Sequence, residues 1–207
     1  MFFARAACLI SSLWLLAGCA GPAEPKWASD AEVARARYVH DGPPSITLIT
    51  VVSNSSGSGA HSALLINADE RIIFDPAGTW YHPHLPERND VHYGMSDPVM
   101  DFYIDYHTRV TYHTIIQTVE VSPEIARRAK MLAQAHGAVP KAQCAISVGR
   151  ILDGVPGFED APNGYSPKAL TRYFDSRPGV TRREYRDFDS DDNSGVIAAP
   201  PVLIAAN

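Results

Sequence analysis

The single cysteine beyond the N-terminal region is the feature that most limits how this chain can fold. The 207-residue sequence has three cysteines, and two of them, Cys8 and Cys19, lie in or directly after an apolar N-terminal segment. Cys144 therefore has no partner for an intramolecular disulfide. The fold must be held by a hydrophobic core, which a chain of this length can bury within one domain.

Residues 1–18 have the pattern of an export signal. They carry one positive charge, Arg5, and an apolar core over residues 9–16. That core is shorter than the roughly 20 apolar residues that a membrane-spanning helix needs. The segment ends in Leu16-Ala17-Gly18-Cys19, which resembles a bacterial lipobox. In such signals the peptide is removed before the cysteine, and the cysteine is then acylated with fatty acids such as palmitate.

This resemblance implies a bacterial lipoprotein of the cell envelope, held to the membrane by lipid on Cys19. Ala20 follows the cysteine where an aspartate would favour retention, so the resemblance implies an outer-membrane protein that faces the periplasm. An ordinary secretory signal that happens to end in a cysteine is the alternative. Residues 19–44 contain four prolines and are predicted to be a lipid-anchored tether with a short helix over residues 30–37.

The charge of the chain limits its partners. The net charge is −5, and the sequence has no basic run, so nucleic-acid binding is not expected. No second long apolar segment follows the signal, which leaves the lipid as the predicted membrane contact. The sequence does not indicate an oligomeric state.

Residues 45–207 are predicted to form one α+β domain, in which an antiparallel sheet packs against helices. Runs of β-branched and alternating apolar residues predict strands at residues 46–52, 61–66, 71–75, 110–121 and 181–188. Capping residues and apolar spacing predict helices at residues 98–107, 122–137, 144–154 and 166–174. The segment 76–97 is rich in His, Pro and Tyr and is predicted to be irregular.

Cys144 and His61 are the candidate catalytic pair. Cys144 opens a predicted helix, where the helix dipole and free backbone N–H groups favour the thiolate. His61 opens a predicted strand and could accept and return the thiol proton. Asp75 ends the next predicted strand. A three-residue loop would pair Asn67 with Arg71 and place His61 and Asp75 on one face, whereas a two-residue loop would separate them.

The order of these elements resembles the circularly permuted branch of the papain-like amidohydrolase superfamily, which includes lecithin–retinol-acyltransferase-like proteins related to NlpC-type peptidases. The resemblance covers roughly residues 46–155 and rests on His61, Asp75 and Cys144. It implies a thiol hydrolase without a cofactor that attacks an amide, ester or thioester bond through an acyl-enzyme. The activity could be that of a peptidase, an amidase or an acyltransferase. Cys144 would be the nucleophile, His61 the general base and acid, and Asp75 the residue that orients His61. Peptidoglycan peptides or acyl compounds would be the substrates.

Three further residues are candidates for substrate contact. Gln143 directly precedes the nucleophile and could donate a hydrogen bond to an oxyanion. Trp80 and Tyr81 lie in the irregular segment and could line a substrate cleft.

Each candidate has a structural alternative. A lone cysteine is often buried in a core. His61 could simply satisfy the end of a strand, and Asp75 precedes Pro76 and could form a turn. The whole chain could then be a non-catalytic envelope lipoprotein that uses the same fold for binding or assembly.

A second histidine cluster suggests zinc less strongly. It comprises His82, His84, Asp90 and His92. These residue types are common zinc ligands, but Pro83 and Pro86 indicate an extended loop, and no complete zinc spacing is present. No metal is predicted.

Overall fold

The computed structural model describes residues 21–198. The predicted signal peptide, the predicted lipidation site Cys19 and the apolar residues 202–204 lie outside the described residues. Within the described range, no helix is both long and apolar enough to cross a membrane.

The centre of the fold is a seven-stranded sheet in which all described pairings are antiparallel, in the order β4-β5-β3-β2-β1-β6-β7. The strands are β1 (Ser45–Ser53), β2 (Gly59–Asn67), β3 (Arg71–Phe74), β4 (Glu87–Arg88), β5 (Val91–Tyr93), β6 (Tyr112–Glu120) and β7 (Thr181–Tyr185).

Helices cover both faces of this sheet. The helices of the described residues are α1 (Asp30–Ala36), α2 (Asp97–His107), α3 (Pro123–Ala135), α4 (Cys144–Asp153), α5 (Pro167–Asp175) and α6 (Ser194–Ala198). The larger core lies between the sheet and α3, α4 and α5. A smaller core lies on the opposite face, where α2 and α6 pack. The predicted α+β class with an antiparallel sheet is therefore confirmed.

The burial of the central strand β1 shows why helices are needed on both faces of the sheet. All residues of β1 between its ends are buried, because β2 and β6 flank the strand and helices cover both faces. Its run of apolar and β-branched residues is typical of a strand buried on both sides.

The predicted helices and strands agree with the structure in kind and in approximate bounds. Ser122 caps α3 by accepting a hydrogen bond from the Ile125 N–H, and Gly154 follows α4 as predicted. The segment 76–97 is not wholly irregular, because it contains β4 and β5. These strands are two and three residues long, too short to show a periodic pattern. Helix α6 was also not predicted.

The N-terminal segment lies against the domain, whereas the sequence predicts a tether there. The Ala28 N–H donates to the Glu87 carbonyl (3.0 Å), and the Asn89 N–H donates to the Lys26 carbonyl (3.1 Å). Val33 in α1 packs against the larger core. In the described residues, the folded unit therefore begins upstream of residue 45.

The close approach of α4 to the loop at Pro162 makes a specific prediction about Gly149. A Cβ atom on Gly149 would overlap the Pro162 carbonyl oxygen, whereas a Cβ atom on Gly164 would meet nothing within 4 Å. Alanine improves intrinsic helix propensity by about 1 kcal/mol, but we expect the backbone clash to outweigh this gain. Gly149→Ala should lower the free energy of unfolding in urea by about 1–3 kcal/mol. The control Gly164→Ala should change it by less than about 0.5 kcal/mol, and equal effects would contradict the packing of α4.

Candidate active site

A bulge in β2 sets the position of His61. Val51 of β1 pairs with His61, but the next residue, Val52, pairs with Gly59. Ala60 is therefore an extra residue in the strand. Such a bulge twists the strand locally and redirects the neighbouring side chain, and bulges are frequent beside active sites.

The turn between β2 and β3 decides the register that the sequence left open. Asn67 pairs with Arg71, and Leu64 pairs with Phe74. This register places His61 and Asp75 on the same face of the sheet. His61 Nε2 lies 2.5 Å from Asp75 Oδ1, so the two side chains form a close hydrogen-bonded ion pair.

Asp75 forms a turn and also holds His61. The Gly78 N–H donates to the Asp75 carbonyl (3.2 Å), while the Tyr103 hydroxyl donates to Asp75 Oδ1 (2.9 Å). The two interpretations of Asp75 are therefore compatible. Burial raises the pKa of the Asp75 carboxyl, but the charge and hydrogen bond of His61 outweigh burial and hold this pKa well below its usual range.

Cys144 is the first residue of α4 and is 8% exposed. Its neighbours Ala145 and Val148 belong to the larger core. The His61 ring lies against the ring of His107 in α2, which packs on the opposite face. Burial raises the pKa of the Cys144 thiol. The hydrogen bond and charge of His61 and the backbone N–H groups of Ser62 and Ala145 outweigh burial, so the net pKa is lowered.

His61 shows the complementary shift. Burial lowers the pKa of the imidazole, but the carboxylate of Asp75 and hydrogen bonds to Asp75 and Cys144 raise it overall. Because Nε2 is engaged by Asp75, Nδ1 is the nitrogen left for Cys144. The lowered thiol pKa and the raised imidazole pKa together favour a thiolate–imidazolium pair.

The backbone before the nucleophile is strained. Ala142 has a φ of 65°, in the left-handed region that a residue with a Cβ rarely adopts. Gln143 follows as the N-cap of α4, and its side chain makes no capping hydrogen bond. The turn therefore presents Cys144 at the helix start, where the first backbone N–H groups lack partners within the helix.

A pocket of about 250 Å³ lies beside Asp75. Trp80 and Tyr81 both line it, Trp80 being buried and Tyr81 being 48% exposed. Trp80 also packs edge-on against Tyr103, with ring centroids 5.1 Å apart. It thus supports the hydroxyl that holds Asp75. Gln143, Cys144 and His61 do not line this pocket.

The His82 cluster does not form a metal site in the described residues. No group of three possible ligand atoms within 4.8 Å of one another includes His82, His84 or His92. Trp80 packs against both His82 and His92. Burial and the neighbouring histidines lower the pKa of His82 to about 4, so its ring is neutral and part of the wall around Trp80.

Two residues near the pair were missed by sequence reasoning. Tyr103 donates to Asp75, and the His107 ring stacks on the His61 ring at 5.8 Å between centroids. Their spacing of four residues on a predicted helix places them on one face. The sequence therefore indicated that Tyr103 and His107 share one face of the helix. It did not indicate that this face lies against Asp75.

No protein-family model, curated protein or solved structure matches this chain. A functional assignment therefore depends on the geometry of the site.

The pKa shift of Asp75 predicts how Asp75→Asn changes stability with pH. A lowered folded-state pKa contributes stability above the unfolded value, about 3.9, and this contribution is lost as the pH falls. Asp75→Asn should therefore lower the free energy of unfolding more at pH 6 than at pH 3. We expect the loss at pH 6 to exceed the loss at pH 3 by about 1 kcal/mol. Urea unfolding at both pH values measures this, with the exposed Asp153→Asn as control. A cost of Asp75→Asn that is equal at the two pH values would show that Asp75 is not an ionised partner of His61.

Proposed function

We propose that this chain is an envelope lipoprotein hydrolase with a cysteine nucleophile, of the circularly permuted papain-like kind. The observation that carries the proposal is the position of His61, whose Nε2 lies 2.5 Å from Asp75 Oδ1 and whose ring lowers the pKa of the Cys144 thiol. The bond cleaved would be an amide or ester, through an acyl-enzyme.

Acylation uses the thiolate and the imidazolium together. The Cys144 sulfur attacks the substrate carbonyl carbon, a C–S bond forms, and the carbonyl electron pair moves to oxygen. Backbone N–H groups at the start of α4 stabilise this oxyanion. The carbon–leaving-group bond then breaks as His61 Nδ1 donates its proton to the departing nitrogen or oxygen.

Deacylation reverses the role of His61. Neutral His61 removes a proton from water, and the resulting hydroxide attacks the thioester carbon. The C–S bond breaks, the acid product leaves, and the thiolate–imidazolium pair is restored. Asp75 stays ionised throughout and stabilises the positive charge on the ring, while Tyr103 keeps the carboxylate in place.

The pocket beside Asp75 is the proposed cleft for the part of the substrate away from the cleaved bond, because neither Cys144 nor His61 lines it. Pro22, Glu24 and Lys26 of the N-terminal segment form part of its wall. The Gly21 carbonyl accepts a hydrogen bond from the Lys141 N–H (3.3 Å), close in sequence to Cys144. Lipid on Cys19 would be at most about 7 Å of extended chain from Gly21. The cleft would therefore open near the membrane surface and take peptidoglycan peptides or lipid-derived acyl groups from there.

Left-handed backbone around the cleft also supports a function. Ala77 and Asp90 line the pocket with φ values of 57° and 67°. Non-glycine residues in this region cost on the order of 1–3 kcal/mol each and concentrate at functional sites.

The proposal predicts a covalent acyl-enzyme on Cys144. The purified chain is mixed with p-nitrophenyl acetate and quenched in acid, and the peptide that contains residue 144 is analysed by mass spectrometry. We expect acetylation of Cys144 in the wild type and none at this position in Cys144→Ala. His61→Ala should slow acetylation by about 10²–10⁴-fold, the usual contribution of a general base.

The outcome separates the two functions considered. Equal labelling of the wild type and His61→Ala, or labelling only after unfolding, would mean that Cys144 is not activated. The non-catalytic envelope protein would then be the better description.

A further inference from the structure

Three possible metal ligands meet at the buried end of the His61–Asp75 pair. One donor atom from each of His61, Asp75 and His107 lies within 4.8 Å of the others. Two imidazoles and one carboxylate form a common set of protein ligands for zinc and related transition metals. The sequence suggested no metal here, because His107 had no evident partner.

The hydrogen bond of His107 fixes its tautomer. His107 Nδ1 lies 2.8 Å from the Tyr103 carbonyl oxygen, and only a protonated nitrogen can donate to that oxygen. In the neutral ring, Nε2 then carries a free lone pair. A metal-binding histidine commonly donates its other ring N–H to a backbone carbonyl in this way.

Asp75 has an unused acceptor atom. Oδ1 accepts hydrogen bonds from His61 and Tyr103, whereas the buried Oδ2 has no hydrogen-bond partner among the described residues. A buried carboxylate oxygen without a partner is costly, and a cation bound by both oxygens of Asp75 would satisfy it. The Tyr103 hydroxyl would then orient a ligating carboxylate from outside the metal shell.

We propose that His61, Asp75 and His107 bind a divalent transition-metal ion of the zinc type. The ion would bind His61 Nε2 in place of the proton that Nε2 shares with Asp75, and that proton would be released to solvent. The binding site itself does not depend on the hydrolase proposal. If the chain is a hydrolase, a bound ion would inhibit it, because the metal would hold His61 in a form that gives up its Nδ1 proton less readily.

Zinc titration of the full-length chain tests this site. Binding of ZnCl₂ is followed by isothermal titration calorimetry and by the thermal unfolding temperature. We expect one ion per chain and a higher unfolding temperature with zinc. His107→Phe keeps a flat ring beside His61 but has no nitrogen, and it should weaken zinc binding by at least about tenfold. His107→Gln removes the imidazole while keeping a polar side chain, and it should give the same loss.

Two controls locate the ion. Cys144→Ser and His84→Ala should bind zinc as the wild type does, because neither supplies a ligand in the proposed site. Full zinc binding by both folded His107 variants would overturn the proposal. Loss of zinc binding in Cys144→Ser would also overturn it, because the ion would then lie on the thiolate. Loss of zinc binding in His84→Ala would overturn it as well, because the ion would then lie in the His82 cluster.

The hydrolase proposal is tested separately, by the rate of Cys144 acetylation. Zinc should slow acetylation of Cys144 in the wild type, and it should not slow acetylation in either His107 variant, each compared with its own metal-free rate. Zinc binding that depends on His107 would support the metal site even if no acetylation of Cys144 were observed. Zinc that binds through His107 but leaves the wild-type rate unchanged would overturn the inhibition.

Discussion

The candidate site depends on one buried carboxylate. An ionised Asp75 inside the protein is stable only with partners, and His61 and the Tyr103 hydroxyl supply them. The carboxylate in turn fixes which nitrogen of His61 faces Cys144, and it favours the protonated ring. The tautomer, the orientation of the ring and the lowered pKa of the thiol all follow from this interaction.

Both faces of the sheet are needed to build the site. Helix α2 brings Tyr103 and His107 to Asp75 and His61 from one face. Helix α4 brings Cys144 from the other face, where the loop at Pro162 packs against Gly149. A change in the packing of either helix would therefore separate the nucleophile from its base without altering any of the catalytic residues. Core substitutions that lower the free energy of unfolding should therefore also lower the reactivity of Cys144.

Local sequence signals predicted much of this arrangement. Ser122, Pro123 and Gly154 marked helix ends, and the β-branched run of β1 marked a strand, because caps and residue patterns act over a few neighbouring residues. Cys144, His61 and Asp75 stood out by residue type and element order. The α+β class followed from the same patterns.

The remaining features depend on contacts that sequence patterns do not contain. The pairing of Asn67 with Arg71 was one of two registers that the turn allowed, and packing on both faces selected it. The two short strands β4 and β5 exist because Glu87 and Asn89 pair with the N-terminal segment on one side and β5 pairs with β3 on the other. Because of the same contacts, the N-terminal segment, which the sequence predicts to be a tether, forms one wall of the pocket. These contacts are tertiary and leave no pattern in the sequence.

The pH dependence of Cys144 alkylation by iodoacetamide tests the central claim most directly. The full-length chain and His61→Ala are labelled across a pH series, and the peptide with Cys144 is quantified by mass spectrometry. An activated pair predicts fast labelling with an apparent pKa well below about 8.5, and a higher apparent pKa in His61→Ala. Slow labelling that increases only in denaturant and does not change in His61→Ala would contradict the account and identify Cys144 as a buried structural thiol.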